Sequence, residues 1–455
     1  MMKQEQILSD VFGFEGLRSG QKEIIELANR GCDILALLST GAGKSLCYQL
    51  PVLNVNGRAL VITPLVSLME DQVAELKRLK IKAVCIHSHL DIREKRMILR
   101  QLNRYHFIFC SPEWLATDRA RSIISNMQFT HIVIDEAHCI SEWGYDFRPH
   151  YLLLNELLDY YSEAQVIALT ATANDKTIHD IQHLLNRRLT VIDHRTARDN
   201  IFLKVMPVHT SHKVEKLMQL LPASGPAIIY FSSKKMCDDV QQQLLSSGFK
   251  GMTYHADMSY EERMSVQLSF QNDTIQFVCA TSAFGMGINK KNIRTIIHYH
   301  VPKSIFQYVQ EIGRAGRDGE QSQAILLYHP EDLNIAFKFL EEDRLTEEDL
   351  KFYKEGVQLP DEKKEFIHIL LRRFSVSVLR QLLNDETAAK YNAVKAMINY
   401  GTAKHCLSSQ LYDYEGTCEH CEVCQGTHDF EFKTIVKEKR SVLFEEYINS
   451  LFKFD

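Results

Sequence analysis

An apolar run, Ile34 to Leu38, passes directly into Ser39-Thr40-Gly41-Ala42-Gly43-Lys44-Ser45, and a helical stretch follows. This feature constrains the fold tightly. The loop can work only if a buried strand delivers it and a helix N-terminus receives it, so that backbone N–H groups converge on a phosphate. Gly41 and Gly43 permit the tight path and Thr40 and Ala42 complete the cradle. Lys44 is placed for the β- and γ-phosphates and the Ser45 hydroxyl for Mg²⁺. Leu38 departs from the glycine that usually opens such a loop.

The same alternation of short apolar runs with longer amphipathic stretches continues to about residue 330, the pattern of parallel α/β sheets. Strands are expected at Ile34–Leu38, Ala59–Thr63, Ala83–His87, Phe107–Cys110, His131–Ile134 and Val166–Leu169. A second set is expected at Ala227–Phe231, Gly251–Tyr254, Phe277–Ala280, Thr295–Tyr299 and Ala324–Tyr328. The polar run 193–200 marks a boundary, and beyond Tyr328 the strand signals stop. The charged piece 341–365 reads as a solvated helical connector. The expected organisation is a nucleotide-binding domain at 1–200 and a second α/β domain at 201–334. A helical connector with a cysteine module follows at 335–430, then a helical tail at 431–455.

Asp135 and Glu136 end the apolar run Ile132 to Ile134, at the strand end where open α/β sheets place ligands. An Asp there can hold Mg²⁺ while the neighbouring Glu activates water. Gln310, Arg314 and Arg317 stand at i, i+4 and i+7, one face if the segment is helical, with Gly313 and Gly316 keeping the adjacent surface small. Arginine there suits the charge of a transferring phosphoryl group, as a finger acting across a cleft.

Composition bounds the class. Of 455 residues, 45% are hydrophobic and 24% charged, enough for several cores. No apolar stretch approaches the ~18 residues that span a bilayer, and the N-terminus lacks an apolar secretion segment. The expectation is a cytoplasmic chain, nucleoid-associated if bacterial, with no membrane partner. A net charge of −5 excludes a uniformly basic coat but leaves room for a local basic groove. Cys32, Cys47, Cys85, Cys110, Cys139, Cys237 and Cys279 are scattered singly and read as small core residues. Cys406, Cys418, Cys421 and Cys424 form C-x11-C-x2-C-x2-C, a spacing that can close a tetrahedral zinc site.

Taken together, these motifs resemble those of the RecQ helicases of superfamily two, over about residues 8–330 and again at the cysteine cluster. Leu17-Arg18-Ser19-Gly20-Gln21 with Phe14 is similar to the family's adenine-reading segment, and Ser19 stands where the family usually has Pro. The resemblance implies that Arg18 and Gln21 contact the base and Phe14 packs near it. Thr63-Pro64-Leu65-Val66-Ser67 with Asp71-Gln72, Leu169-Thr170-Ala171-Thr172-Ala173, Tyr230-Phe231-Ser232-Ser233 and Ala280-Thr281-Ser282-Ala283-Phe284 follow in the family's order. Pro64, Ser67, Ser232 and Thr281 are thereby implied as DNA contacts. Cys139 to Pro149 resembles the family's aromatic-rich loop, with Trp143, Phe147 and Arg148 implied to meet single-stranded DNA by stacking and by charge.

The resemblance implies an α/β fold of two tandem RecA-like parallel-sheet domains followed by a helical zinc-binding module. It implies ATP, Mg²⁺ and Zn²⁺, with Ser45 and Asp135 on magnesium. It also implies a monomeric 3′–5′ DNA helicase of repair or recombination. The partners implied are single-stranded DNA, tailed or branched duplexes, and single-strand-binding or repair proteins. Leu407-Ser408 replaces the arginine pair usual after the first cysteine, so the metal reads as structural. Only Gln425–Asp455 follows the cluster, which suggests a short form without the winged-helix and accessory domains. A DNA-stimulated translocase or annealing protein with weak unwinding, a non-catalytic nucleic-acid scaffold, and an RNA substrate stay open on residues alone.

Overall fold

The computed structural model describes residues 4–87, 90–141, 149–284, 290–335, 337, 345–412 and 416–433. The chain divides into two compact units. Unit 1 takes in the chain up to Arg195 and returns for the helices that end near Glu386; unit 2 starts at Thr196 and resumes at Thr387.

Unit 1 holds a seven-stranded sheet of β1 (Ile34–Leu38), β2 (Ala59–Ile62), β3 (Ala83–Ile86), β4 (Phe107–Cys110), β5 (His131–Ile134), β6 (Gln165–Thr170) and β7 (Thr190–His194). The strand order is β3-β4-β2-β5-β6-β1-β7, and every pairing is parallel. Parallel strands need crossover helices, which cover both faces and bury both sides of each strand. β1 shows the result. Ile34, Ala36 and Leu38 pack with Tyr48, Val52 and Met69 on one face, whereas Leu35 and Leu37 pack with Leu158, Ile181 and Leu184 on the other.

Unit 2 repeats the scheme with β8 (Ile201–Pro207), β9 (Ala227–Tyr230), β10 (Gly251–Tyr254), β11 (Phe277–Ala280), β12 (Thr295–His298) and β13 (Ser322–Tyr328). Its six-stranded sheet has the order β10-β11-β9-β12-β13-β8, again all parallel.

The sequence does not announce β7 and β8. β7 is an edge strand whose only buried residue is Ile192, so it lacks an apolar run. β8 begins directly after the expected boundary, and its apolar run is broken by Lys204 and Pro207.

The segment 341–365 also differs from expectation. Helix Glu347–Glu355, with its Thr346/Asp349 capping box, and helix Asp361–Arg373 are not solvated connectors. Leu350, Leu359, Ile367 and Leu370 join the core of unit 1. Arg373 donates to Leu152 O at 3.4 Å and Leu184 O at 2.7 Å, and Arg372 pairs with Glu156 at 2.7 Å. The many charges lie on the outer faces and mask a narrow apolar stripe. Leu370→Ala is therefore expected to destabilise unit 1 by about 2–5 kcal/mol. Urea unfolding followed by tryptophan fluorescence would show an unchanged midpoint if this helix were a mere connector.

Candidate functional site

Because β1 and β5 run the same way, the phosphate loop and the Asp135-Glu136 pair emerge on one edge of the unit 1 sheet. Gly41 and Gly43 have φ of 84° and 78°, the left-handed region that favours glycine. A Cβ on Gly43 would lie 2.5 Å from Gln21 Nε2, so the loop and Gln21 are packed without room for a side chain. Gln21 is buried, donating through Nε2 to Ala42 O at 3.0 Å and Gly43 O at 3.1 Å, while its Oε1 accepts from Arg18 N at 2.8 Å. Arg18 Nη1 donates to Gly41 O at 2.8 Å. Both implied base-reading residues thus grip the phosphate loop itself. Phe14 is 50% exposed, an aromatic face open to a ligand.

Lys44 Nζ lies 3.2 Å from Glu136 Oε1. Ser45 Oγ accepts from Gln72 Nε2 at 2.9 Å, and Gln49 Nε2 donates to Gln72 Oε1 at 3.2 Å. Gln72 comes from the next helix, Val66–Arg78, and its role in holding Ser45 is not visible in the sequence. Burial pushes the Asp135 carboxyl above its ordinary range and the adjacent Glu136 charge adds to this, while Lys44 pulls it down. Two crowded carboxylates beside a hydroxyl form a donor set that a hard dication would relieve, so the residues fit Mg²⁺. Glu136 itself has φ 50° and ψ 51°, a left-handed conformation unusual for a non-glycine residue and concentrated at functional sites.

Behind the pair, His138 is buried, with Nδ1 2.9 Å from Thr170 Oγ1 and 3.3 Å from Glu136 Oε2. Thr170 donates its hydroxyl hydrogen to Thr172 O at 2.9 Å and accepts from Thr172 N at 3.2 Å, which leaves His138 Nδ1–H as donor. One imidazole therefore joins Asp135–His138 to the segment Leu169–Ala173. Burial lowers the His138 pKa to about 4.

In unit 2, Gln310 lies in helix Ile305–Ile312, but Arg314 and Arg317 do not. The expected single helical face is corrected: the helix ends at Gly313, and Gly316 turns left-handed at φ 54°. Arg314 is buried, and it hydrogen-bonds the Tyr230 hydroxyl at the end of β9. That hydroxyl donates onward to Phe284 O at 2.8 Å. Tyr230 stacks on His298, whose Nε2 lies 2.7 Å from Glu311 Oε2. The arginine turn thus rests on a buried polar network.

Among the implied DNA contacts, Pro64 is buried and Ser67 half-buried, both just beyond β2. Ser232 follows β9 and donates its N–H to His300 Nδ1 at 3.1 Å; Thr281 follows β11 and donates its N–H to Tyr254 O at 3.1 Å. Trp143, Phe147 and Arg148 lie outside the described residues, as do Gly285–Asn289 and most of the 431–455 tail.

Cys406, Cys418, Cys421 and Cys424 converge in unit 2 with ligand atoms all within 4.8 Å of one another. Four sulfurs at Zn–S distances of about 2.3 Å stand roughly 3.8 Å apart, so the set fits a tetrahedral thiolate site. β8 is its platform. Leu203 N donates to His420 O at 2.8 Å, and Val205 N donates to Glu422 Oε1. His420 Nε2 lies 2.8 Å from the buried Ser408 Oγ, so Ser408 supports the cluster from within. Phe430 packs on Phe202 and stacks with Phe432, which pairs with Ser224.

Comparison with known proteins fits this geometry. Residues 18–181 match the DEAD/DEAH box helicase model and residues 212–319 match the Helicase conserved C-terminal domain. These put both units in the helicase class of phosphate-loop proteins. The chain is 37% identical to the probable ATP-dependent DNA helicase RecS of Bacillus subtilis over 370 residues, covering 80% of this chain and 75% of that protein. It is 40% identical to the ATP-dependent DNA helicase RecQ of Haemophilus influenzae over 335 residues, covering 72% of this chain but 53% of that protein. The chain belongs to the RecQ family. In fold it is similar to the Mycobacterium smegmatis helicase Lhr bound to ssDNA and AMP-PNP, with a TM-score of 0.62 at 19% identity, covering 86% of this chain and 56% of the other. No helix among the described residues is long and apolar enough to cross a membrane.

The buried His138 makes a pH prediction. An unfolded histidine takes a proton near pH 6.5, whereas the folded one resists until about 4. Protonation in that window favours unfolding, so stability is full above pH 6.5 and falls as pH drops toward 4, by up to about 1.4 kcal/mol per pH unit for this group. His138→Gln is expected to flatten that slope in urea titrations between pH 7 and 4. An identical slope in the variant would contradict the assignment.

Proposed function

We propose that this chain is an ATP-dependent DNA helicase that translocates on single-stranded DNA, 3′ to 5′, in repair or recombination. The observation that carries the reading is the Lys44–Glu136 contact at 3.2 Å, which joins a phosphate-binding cation to a carboxylate able to orient water. The relatives' names supply DNA as the polymer.

In this reading Thr40 to Ser45 hold the triphosphate, and Lys44 leaves Glu136 for the β- and γ-phosphates when nucleotide arrives. Phe14, Arg18 and Gln21 face the base. Ser45 and Asp135 hold Mg²⁺, which screens phosphate charge when bound. Glu136, freed from Lys44, orients the attacking water and accepts its proton. Arg314 and Arg317 neutralise charge on the transferring phosphoryl group, and Gln310 donates an amide N–H beside them. Pro64, Ser67, Ser232 and Thr281 track the DNA backbone, while Trp143, Phe147 and Arg148 meet the bases. The His138–Thr170 contact supports a link between hydrolysis and the segment Leu169–Ala173.

ATP turnover measured with and without single-stranded DNA, beside displacement from a 3′-tailed duplex, tests this reading. Strong DNA stimulation, displacement, and loss of both in Lys44→Ala are expected. Stimulation without displacement would favour a translocase or annealing protein. Near-zero turnover in the unmutated chain would leave only a scaffold, and equal activity on an RNA duplex would remove the DNA restriction.

We further propose that the cysteine cluster holds one structural Zn²⁺. Metal analysis is expected to give one zinc per chain, lost in Cys421→Ser. Hydrogen exchange is then expected to rise at Leu203 and Val205, whose amides bond the cluster's backbone and side chain. Full zinc in the variant would rule the site out.

A further inference from the structure

The segment 193–200 reads in the sequence as a polar boundary, yet its last residues form a clamp within unit 2. Arg198 Nη2 donates to Ala315 O at 3.2 Å and to Gly316 O at 2.5 Å. Its Nε donates to Asn200 Oδ1 at 3.2 Å, which orients the amide. Asn200 Nδ2 then donates to Gly316 O at 2.9 Å and Glu320 O at 2.8 Å. The backbone joins in, because Asn200 O accepts from Ser322 N at 2.8 Å and Ser322 Oγ at 3.1 Å.

These bonds fall at an informative place. The two carbonyls that lie between Arg314 and Arg317 are those of Ala315 and Gly316, and both are held by Arg198. The fit is close, since a Cβ on Gly316 would lie 2.4 Å from Asn200 Nδ2 and 2.7 Å from Glu320 O. Half-burying a guanidinium against carbonyl oxygens carries a desolvation cost that the geometry must return, and simple tethering of a strand start would not require it. The clamp also has a support, because the Tyr412 hydroxyl is hydrogen-bonded to the Arg198 backbone. Tyr412 ends the helix Leu407–Tyr412, which starts beside Cys406.

We propose that Arg198 and Asn200 are positioning residues for ATP hydrolysis: they fix the backbone from which the Arg317 side chain departs. The inference rests on the reading that this arginine serves the phosphate. A long side chain magnifies any rotation at its Cα, and a displacement of about 1 Å at a reacting centre costs on the order of a hundredfold in rate. Asn200 sets the Gly316 carbonyl, and Arg198 sets both that carbonyl and Asn200.

The test is a set of steady-state ATPase measurements on the full chain with saturating single-stranded DNA. Arg198→Ala, Asn200→Ala and Arg317→Ala are made singly, and each clamp variant is combined with Arg317→Ala. Each clamp variant is expected to lower kcat by about tenfold or more, with KM for ATP and affinity for DNA within about twofold of the unmutated chain. In the Arg317→Ala background they are expected to lower kcat no further, because the group they position is gone. Arg198→Lys keeps the charge but loses the Nε bond that orients Asn200, so it serves where the alanine variant is poorly folded, and it is expected to show the same selective loss of kcat. If Arg317→Ala lowers kcat while the clamp variants leave it unchanged, or multiply the Arg317 defect, the positioning role is overturned and the phosphate reading stands. If Arg317→Ala itself leaves kcat unchanged, the phosphate reading falls and the positioning role falls with it.

Discussion

All strands in each sheet point the same way, and this one constraint places the chemistry. A parallel strand cannot turn back on itself, so each must be followed by a crossover that starts at the same edge. In unit 1 the loops after β1, β2, β5 and β6 consequently leave from one side of the sheet. The Lys44–Glu136, Gln72–Ser45 and His138–Thr170 contacts all join such loops or the helices they open. Residues far apart in sequence meet there because strand order, not sequence order, sets the neighbours.

The candidate loops of unit 1 and of unit 2 are each held in the same way. Side chains suited to phosphate, metal and water sit on the loops themselves, and a second set holds those loops by their backbone. Gln21 and Arg18 take loop carbonyls at Gly41, Ala42 and Gly43. Arg198 and Asn200 do the equivalent for the arginine turn in unit 2. In both places a planar, multiply donating side chain grips glycine-containing backbone, which by itself would lose the most freedom on ordering. The cysteine cluster follows the same economy, since β8 supplies backbone bonds to the segment that carries its later cysteines.

Much of the fold was legible because strands buried on both faces must be apolar at every position, as Ile34–Leu38 and Phe107–Cys110 are. β7 escaped notice because an edge strand with only Ile192 buried carries no such run. The helix Asp361–Arg373 was misjudged because Ile367 and Leu370 are spaced among charges that face away from the core. The phosphate loop and the cysteine spacing were legible because their chemistry depends on local sequence. Gln72, Tyr230, Arg198 and Asn200 were not, because each acts on a partner supplied by another element. The arginine segment was legible in composition but not in shape, since spacing alone could not show that the helix stops at Gly313.

The interleaving of the two units bears on how the chain can be made. Leu350, Ile367 and Leu370 belong to the core of unit 1, although the whole of the unit 2 sheet precedes them. Unit 2 in turn waits for Met397, Tyr400 and Cys421. A ribosome adding roughly 5–20 residues per second would hold the first sheet partly uncovered for on the order of ten seconds. Its apolar flank stays open through that interval, the condition under which unfinished chains are most prone to aggregate.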